Sequence, residues 1–160
     1  AVGYRSSDSV VVWDAVTNEG TPLESFVPLS TLGVRGDGVR LLQWAPSGGL
    51  LLVGLNIGLF ALYDASTWKF RLYRTQAPLA GACFSPNSRY LLAAVNTQAG
   101  VGEVLCFQLQ STERDPQISK KHQIDVQLLG GAQRPILGLG WSATGERLAV
   151  QFGQPAGGGG

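Results

Sequence analysis

The chain has 160 residues, is 44% hydrophobic and 14% charged, and sets 12 Lys and Arg against 11 Asp and Glu for a net charge of +1. That length can bury a core, and that composition is too apolar and too weakly charged for intrinsic disorder. Its three lysines, Lys69, Lys120 and Lys121, and its scattered arginines lack the single-faced clustering with which nucleic-acid binders neutralise phosphates, so no direct nucleic-acid partner is expected.

In chain order, residues 1–30 contain Val10-Val-Val-Trp13-Asp14, a strand pattern ending in an aromatic and a carboxylate. They read as the closing strands of one unit. Residues 31–75 form a fuller unit. Val39 to Trp44 is a strand, Pro46-Ser-Gly-Gly a tight turn, and Leu50–Val53 the returning strand. Leu59-Phe-Ala-Leu-Tyr63-Asp64 repeats the aromatic-carboxylate ending, and Trp68 follows it. The apolar stretch from Leu50 to Leu62 is broken by Gly54, Asn56 and Gly58, so it predicts strands and a turn, not a membrane span.

Residues 76–134 repeat the pattern: Leu79 to Phe84, the turn Pro86-Asn-Ser-Arg, Tyr90–Val95, then Val104-Leu-Cys-Phe107-Gln108. A long polar loop is expected at 110–134, with room for a fourth strand at Gln123–Leu129. Residues 135–152 open one more unit, with Ile136 to Trp141, a turn through Gly145, and Leu148–Val150. Residues 153–160 read as a flexible glycine-rich end. No methionine occurs and no signal peptide is visible, so both ends are expected to be cuts.

Trp44 and Phe84 are 40 residues apart and Tyr63 and Phe107 are 44 apart, within the period of about 40–45 residues of WD40 repeats. Phe84 to Trp141 is longer, at 57, because of the 110–134 stretch. The expected class is all-β: a partial WD40 β-propeller of about three to four incomplete blades of four-stranded antiparallel sheet. Propellers close with about four to eight blades. These units are therefore expected to be stable only within a longer chain or an assembly.

Several residue patterns could suggest chemistry, and each has a plainer explanation. Cys83 and Cys106 lie in apolar strand patterns without a C-x-x-C spacing and read as buried free thiols. His122, the one histidine, sits in Lys120-Lys-His122-Gln and reads as part of a solvated loop. Arg35-Gly36-Asp37 lies among glycines and reads as a chance triplet in a loop. The glycine pairs Gly54/Gly58 and Gly138/Gly140 precede no phosphate-loop Lys-Ser/Thr and read as turn and packing positions. Trp13, Trp44 and Trp141 occupy recurring positions and are expected to fill space between blades, with Trp68 the tryptophan expected to be partly exposed. Asp14 and Asp64 are expected to accept hydrogen bonds from turns of their own blades. No catalytic residue, metal or cofactor is expected.

The ordered matches at Val11-Val-Trp-Asp14, Pro22-Leu23 with Phe26, and Val39 with Leu42-Gln-Trp44-Ala-Pro46-Ser-Gly48 add to this reading. They continue through Leu59-Phe with Tyr63, Trp68, Cys83-Phe84-Ser-Pro86-Asn-Ser-Arg89-Tyr-Leu-Leu92, Trp141 and Gly145-Glu-Arg-Leu-Ala-Val150. In this order the chain resembles the aladin family of WD40 nucleoporins. Phe107-Gln108 departs from the aromatic-Asp pair, and 110–134 matches poorly. The resemblance implies a non-catalytic scaffold at the nuclear envelope, a component of the nuclear pore complex supporting protein and mRNA transport. It also implies partners among other nucleoporins, including a transmembrane nucleoporin of the pore membrane. The alternative is a WD40 adaptor of another assembly, such as a vesicle coat or translation factor. A propeller hydrolase is a third class, disfavoured by the histidine-poor loops.

Overall fold

The computed structural model describes residues 2–3, 10–23, 38–112, 115–124 and 133–154. Arg35-Gly36-Asp37, Phe26 and Gly157–Gly160 lie outside them. Every regular element among the described residues is a strand, so no helix is long and apolar enough to cross a membrane.

The strands form four antiparallel sheets taken up in chain order. The first blade pairs β1 (Val2–Gly3), β2 (Val10–Asp14) and β3 (Glu19–Pro22). The second is the four-stranded meander β4 (Val39–Trp44), β5 (Leu50–Leu55), β6 (Leu59–Asp64) and β7 (Phe70–Arg74). The third is β8 (Leu79–Phe84), β9 (Tyr90–Asn96), β10 (Gly102–Thr112) and β11 (Asp115–Ile124). A hairpin of β12 (Ile136–Trp141) and β13 (Leu148–Phe152) opens the fourth. The first strands β4, β8 and β12 pack in succession, as they do around a propeller axis. The fold is all-β, a partial propeller.

Period-two alternation explains how the blades cohere, since successive side chains leave a strand on opposite faces. In β5, Leu51, Val53 and Leu55 join Val10 and Leu23 of the first blade, whereas Leu52 faces the third. In β6, Leu59, Ala61 and Tyr63 face the first blade, and Phe60 and Leu62 the third. The third blade does the same: Leu91, Ala93, Leu105 and Phe107 pack on the second blade, and Leu92, Ala94 and Val104 on Ile136 of the hairpin. The core is thus three interfaces between sheets, with both faces of each middle strand used.

The stretch expected as a polar loop at 110–134 is different where it is described. β10 runs on to Thr112 and β11 returns from Asp115, so a long hairpin stands there. The fourth strand starts eight residues before the expected Gln123, and 125–132 lie outside the described residues. The bulge at Gln108/Leu109 marks where the ribbon leaves the blade, because Gln108 is the last residue of β10 paired with β9. Beyond that point Leu109 and Ile118 still pack on the core, but the residues around them are polar, and that polarity imitates a loop. His122 accordingly sits on β11 opposite Cys106, exposed, and not on a loop.

Glycine is required where the hairpin meets the third blade. A Cβ on Gly102 would stand 2.7 Å from the backbone nitrogen of Ile136, and one on Gly81 would stand 3.2 Å from Cα of Gly138. The Asn96 side chain completes this junction: its amide nitrogen donates to the Ile136 carbonyl (3.0 Å), and its oxygen accepts from Ile136 N–H (2.8 Å). Gly102→Ala is expected to destabilise the protein by about 2 kcal/mol, the scale of overpacking a close contact. Gly140→Ala, with open space around the new methyl, is expected to change stability by less than about 0.5 kcal/mol. Urea unfolding of the two variants checks the contrast.

Candidate functional site

The turns from first to second strand and from third to fourth converge on one end of the blades. The first kind occurs three times with one geometry. Ala45, Ser85 and Ser142 each donate a backbone bond five residues on, to Leu50, Tyr90 and Arg147 (2.8–2.9 Å). Gly48, Ser88 and Gly145 bond back three residues and hold φ of 73°, 57° and 80°. Glycine fits that left-handed position at no steric cost. Ser88 occupies it with a Cβ, and its hydroxyl accepts from the backbone N–H of Ser47 on the neighbouring blade (3.1 Å). Pro46 and Pro86 are the first residues inside two of these turns.

The second kind is built on the two aspartates. Asp14 Oδ1 accepts from the N–H groups of Val16 (2.7 Å) and Thr17 (3.2 Å). Asp64 Oδ1 accepts from the backbone and hydroxyl of both Ser66 and Thr67, at 2.5–3.1 Å. Each turn ends four residues later in a left-handed residue, Asn18 (φ 57°) or Trp68 (φ 54°). Asp14 lies below the usual carboxylate range because of its two backbone donors, and Asp64 chiefly because of the Ser66 hydroxyl. The carboxylates belong to different blades, each occupied by its own turn.

The recurring aromatics follow one direction. Trp44 and Tyr63 pack toward the first blade, Phe84 and Phe107 toward the second, and Trp141 toward the third. Each faces the blade before its own. Trp44 meets Trp68 edge-on at 6.3 Å, Tyr63 lies tilted against Phe70 at 4.9 Å, and Phe60 stacks on Tyr73 and meets Phe107 at a tilt. Trp13 has the place of Tyr63 and Phe107 in the first blade, and it is 54% exposed. It is therefore the most exposed tryptophan, in place of Trp68, which is partly buried. The reason is its face: no described residue lies where a preceding blade would.

Two clefts open on this end. One, of about 640 Å³, lies between the second and third blades, lined by Ser47, Asp64, Ser66, Arg89, Gln108 and Gln110 among others. The other, of about 470 Å³, lies between the third blade and the hairpin, with Pro86, Tyr90, Cys106, Trp141 and Gly145 at its wall. There Trp141 donates its indole N–H to the Gly145 carbonyl (3.0 Å). Neither cleft brings together an acid, a base and a nucleophile. Among the described residues, no group of three or more His, Cys, Asp or Glu could hold a metal ion. Cys83 and Cys106 are free; burial raises both thiols, Cys83 to about 11. Of the cleft residues, Arg89 and Gln108 are marked in the sequence only as turn and strand-end positions, and Gln110 only as the start of the polar stretch. The available signal was topological, since antiparallel hairpins of equal length carry their turns to one end.

No protein-family profile matches the chain. Among curated proteins it is similar to aladin of Arabidopsis thaliana, 27% identical over 156 residues that make up 95% of this chain and 32% of that protein. The chain thus spans about a third of that relative. Among solved structures it is similar to a chain of a mitotic checkpoint complex, with TM-score 0.63 and 18% identity over 92% of this chain and 40% of that one. The β-propeller domain of Cps50 (Swd1) from Myceliophteria thermophila gives TM-score 0.63 and 20% identity, covering 94% of this chain and 44% of that one. The sheets and these structural likenesses agree on a β-propeller fold.

Three outcomes test the site chemistry. Because the folded carboxyl of Asp64 lies below the ordinary 3.8, its stabilising contribution is complete above that value and is lost as pH falls through the lower folded value. Thermal melts of Asp64→Asn are expected to lose stability less steeply on the acid side than the parent. Asp64→Ala is expected to cost about 1 kcal/mol at neutral pH, the scale of deleting a capping side chain. Alkylation kinetics near neutral pH should find Cys83 protected until urea unfolds the protein, since the thiolate is the nucleophile and burial suppresses it.

Proposed function

We propose that the chain is part of a non-catalytic WD40 scaffold of the nuclear pore complex, of the aladin type. The observation that carries this reading is the similarity to aladin across 95% of the chain, through every blade in order. Fold alone does not carry it, because propellers host many functions. The chemistry supports a scaffold: the carboxylates stabilise turns, the thiols are suppressed by burial, and the inter-blade ends present polar surface.

As a scaffold, the protein works by offering rigid surfaces to neighbours. The blades provide that rigidity through apolar interfaces on both sheet faces, and the turns project polar groups from one end. Its partners on this reading are other nucleoporins, among them a transmembrane nucleoporin that holds it near the pore membrane. Placement there supports protein and mRNA transport. The second reading, an adaptor of a vesicle coat or of translation, uses the same surfaces in another assembly.

Imaging the fluorescently tagged full-length protein in living cells separates the two. Punctate enrichment at the nuclear rim, overlapping a pore component, is the expected result. A diffuse or vesicular signal would remove the nuclear-pore reading and leave the adaptor reading in its place.

A further inference from the structure

We propose that the edge of β10 left open past Gln108 docks an extended, uncharged segment of a partner protein as an added strand. The opening comes from one departure in the repeat. In the second blade the Ala65 N–H bonds to the Gly49 carbonyl, and Asp64 then turns the chain by accepting from Ser66 and Thr67. In the third blade the Leu109 N–H makes the equivalent bond to the Arg89 carbonyl (2.8 Å), but Gln108 stands where the aspartate would be. The short Asp side chain is what reaches its own backbone two residues on. With Gln in that place β10 runs on to Thr112, although its pairing with β9 stops at Gln108.

Strand geometry fixes what this overhang presents. In an antiparallel pair, the backbone groups of alternate residues leave a strand by the same edge. The Leu109 N–H points away from β11, to Arg89, so the N–H and carbonyl of Ser111 leave by that edge too. Among the described residues, no strand pairs there. The 640 Å³ cleft ends on this edge. Leu109 packs toward the second blade and, by alternation, Gln108 and Gln110 take the other face, yet all three line the cleft. What fronts the cleft is therefore the rim of the strand, and a rim of backbone donors and acceptors fits another extended backbone.

The opposite edge of the same ribbon is guarded. On β11, Pro116 has no N–H, the Ile118 N–H is given to the Tyr73 hydroxyl (3.2 Å), and Lys120 and Lys121 add charge. Proline and lysine are devices that keep a further strand from adding. Leu109 to Thr112 on β10 carries neither. The cleft walls set the chemistry of the occupant. Arg89 and Asp64 balance, and Ser47, Ser66, Asn87 and the two glutamines offer hydroxyls and amides. A neutral segment with Ser, Thr, Asn or Gln side chains fits these walls, and its affinity comes from backbone pairing. This holds whichever assembly the scaffold serves, so the imaging result does not decide it.

The test uses the purified full-length protein and fluorescence anisotropy with a fluorescein-labelled eight-residue peptide of alternating Thr and Gln. Expected is saturable binding that changes by less than about twofold as salt is raised, since screening acts on charges. The same peptide with its backbone nitrogens methylated should bind roughly tenfold or more weakly, the scale of losing one or two hydrogen bonds. Ser111→Pro, which removes a donor from the open edge, should weaken binding similarly, and Ser111→Ala, which keeps it, should bind as the parent does. Hydrogen exchange over residues 109–112 should slow when the peptide is added, a readout that needs no variant to fold. Equal binding of the plain and methylated peptides, no binding, or slowed exchange only on other strands would each overturn the proposal. So would self-association abolished by Ser111→Pro, which would make a second copy the occupant.

Discussion

A sheet with apolar side chains on both faces cannot be stable alone, and most of what this molecule does follows from that. Leu51 to Leu55, Leu59 to Tyr63 and Leu91 to Val95 are buried almost completely. Each large side chain among them gains roughly 1.5–3 kcal/mol from leaving water, but only while a neighbouring blade covers it. The blades must therefore stand face to face in a series, and the first strands must follow one another around an axis. Where backbones then approach, as at Gly81 and Gly102, only glycine fits. The recurring aromatics point into the interface with the blade before their own, while Phe60 and Tyr73 face the blade after.

The polar chemistry is a consequence of the same packing. Faces that meet in apolar contact near the axis leave only the turns and outer strands to solvent, so polar side chains collect there. Asp14 and Asp64 hold turns rigid instead of awaiting substrate, and Ser85 does similar work, accepting from Tyr90 N–H (2.9 Å) and donating to Asn87 (2.7 Å). Sheets twist, so blades joined in the middle part toward their ends, and the clefts lie in those gaps. A surface made in this way is rigid, repeated and chemically quiet, which suits recognition better than reaction.

The parts of this plan legible in the sequence are those with a local signature. The three turns around Gly48, Ser88 and Gly145 show in proline, glycine and asparagine at fixed offsets, and the aspartate turns in an aromatic-carboxylate pair. The direction of the aromatics was not legible, because period two assigns a face and does not say which neighbour covers it. Trp13 shows the difference: in pattern it matches Tyr63, and in burial it does not. The β10–β11 ribbon was missed for a physical reason as well. Beyond the bulge Leu109 and Ile118 are the described side chains that pack on the core, so hydrophobic alternation fades where pairing continues. Arg71 and Lys121 are far apart in sequence and come to facing sides of neighbouring blades only through register.

The ribbon past the bulge at Gln108/Leu109 has one more consequence. Inside the blade, lengthening a strand by one residue would turn every following side chain to the wrong face. Outside it, β10 pairs with β11 alone, while Leu109 and Ile118 at its base still pack against the second blade and the Ile118 N–H donates to the Tyr73 hydroxyl (3.2 Å). The outer hairpin of the third blade is thus anchored at its base, and residue pairs added beyond Thr112 and Asp115 would lengthen a two-stranded ladder without changing the register of the blade.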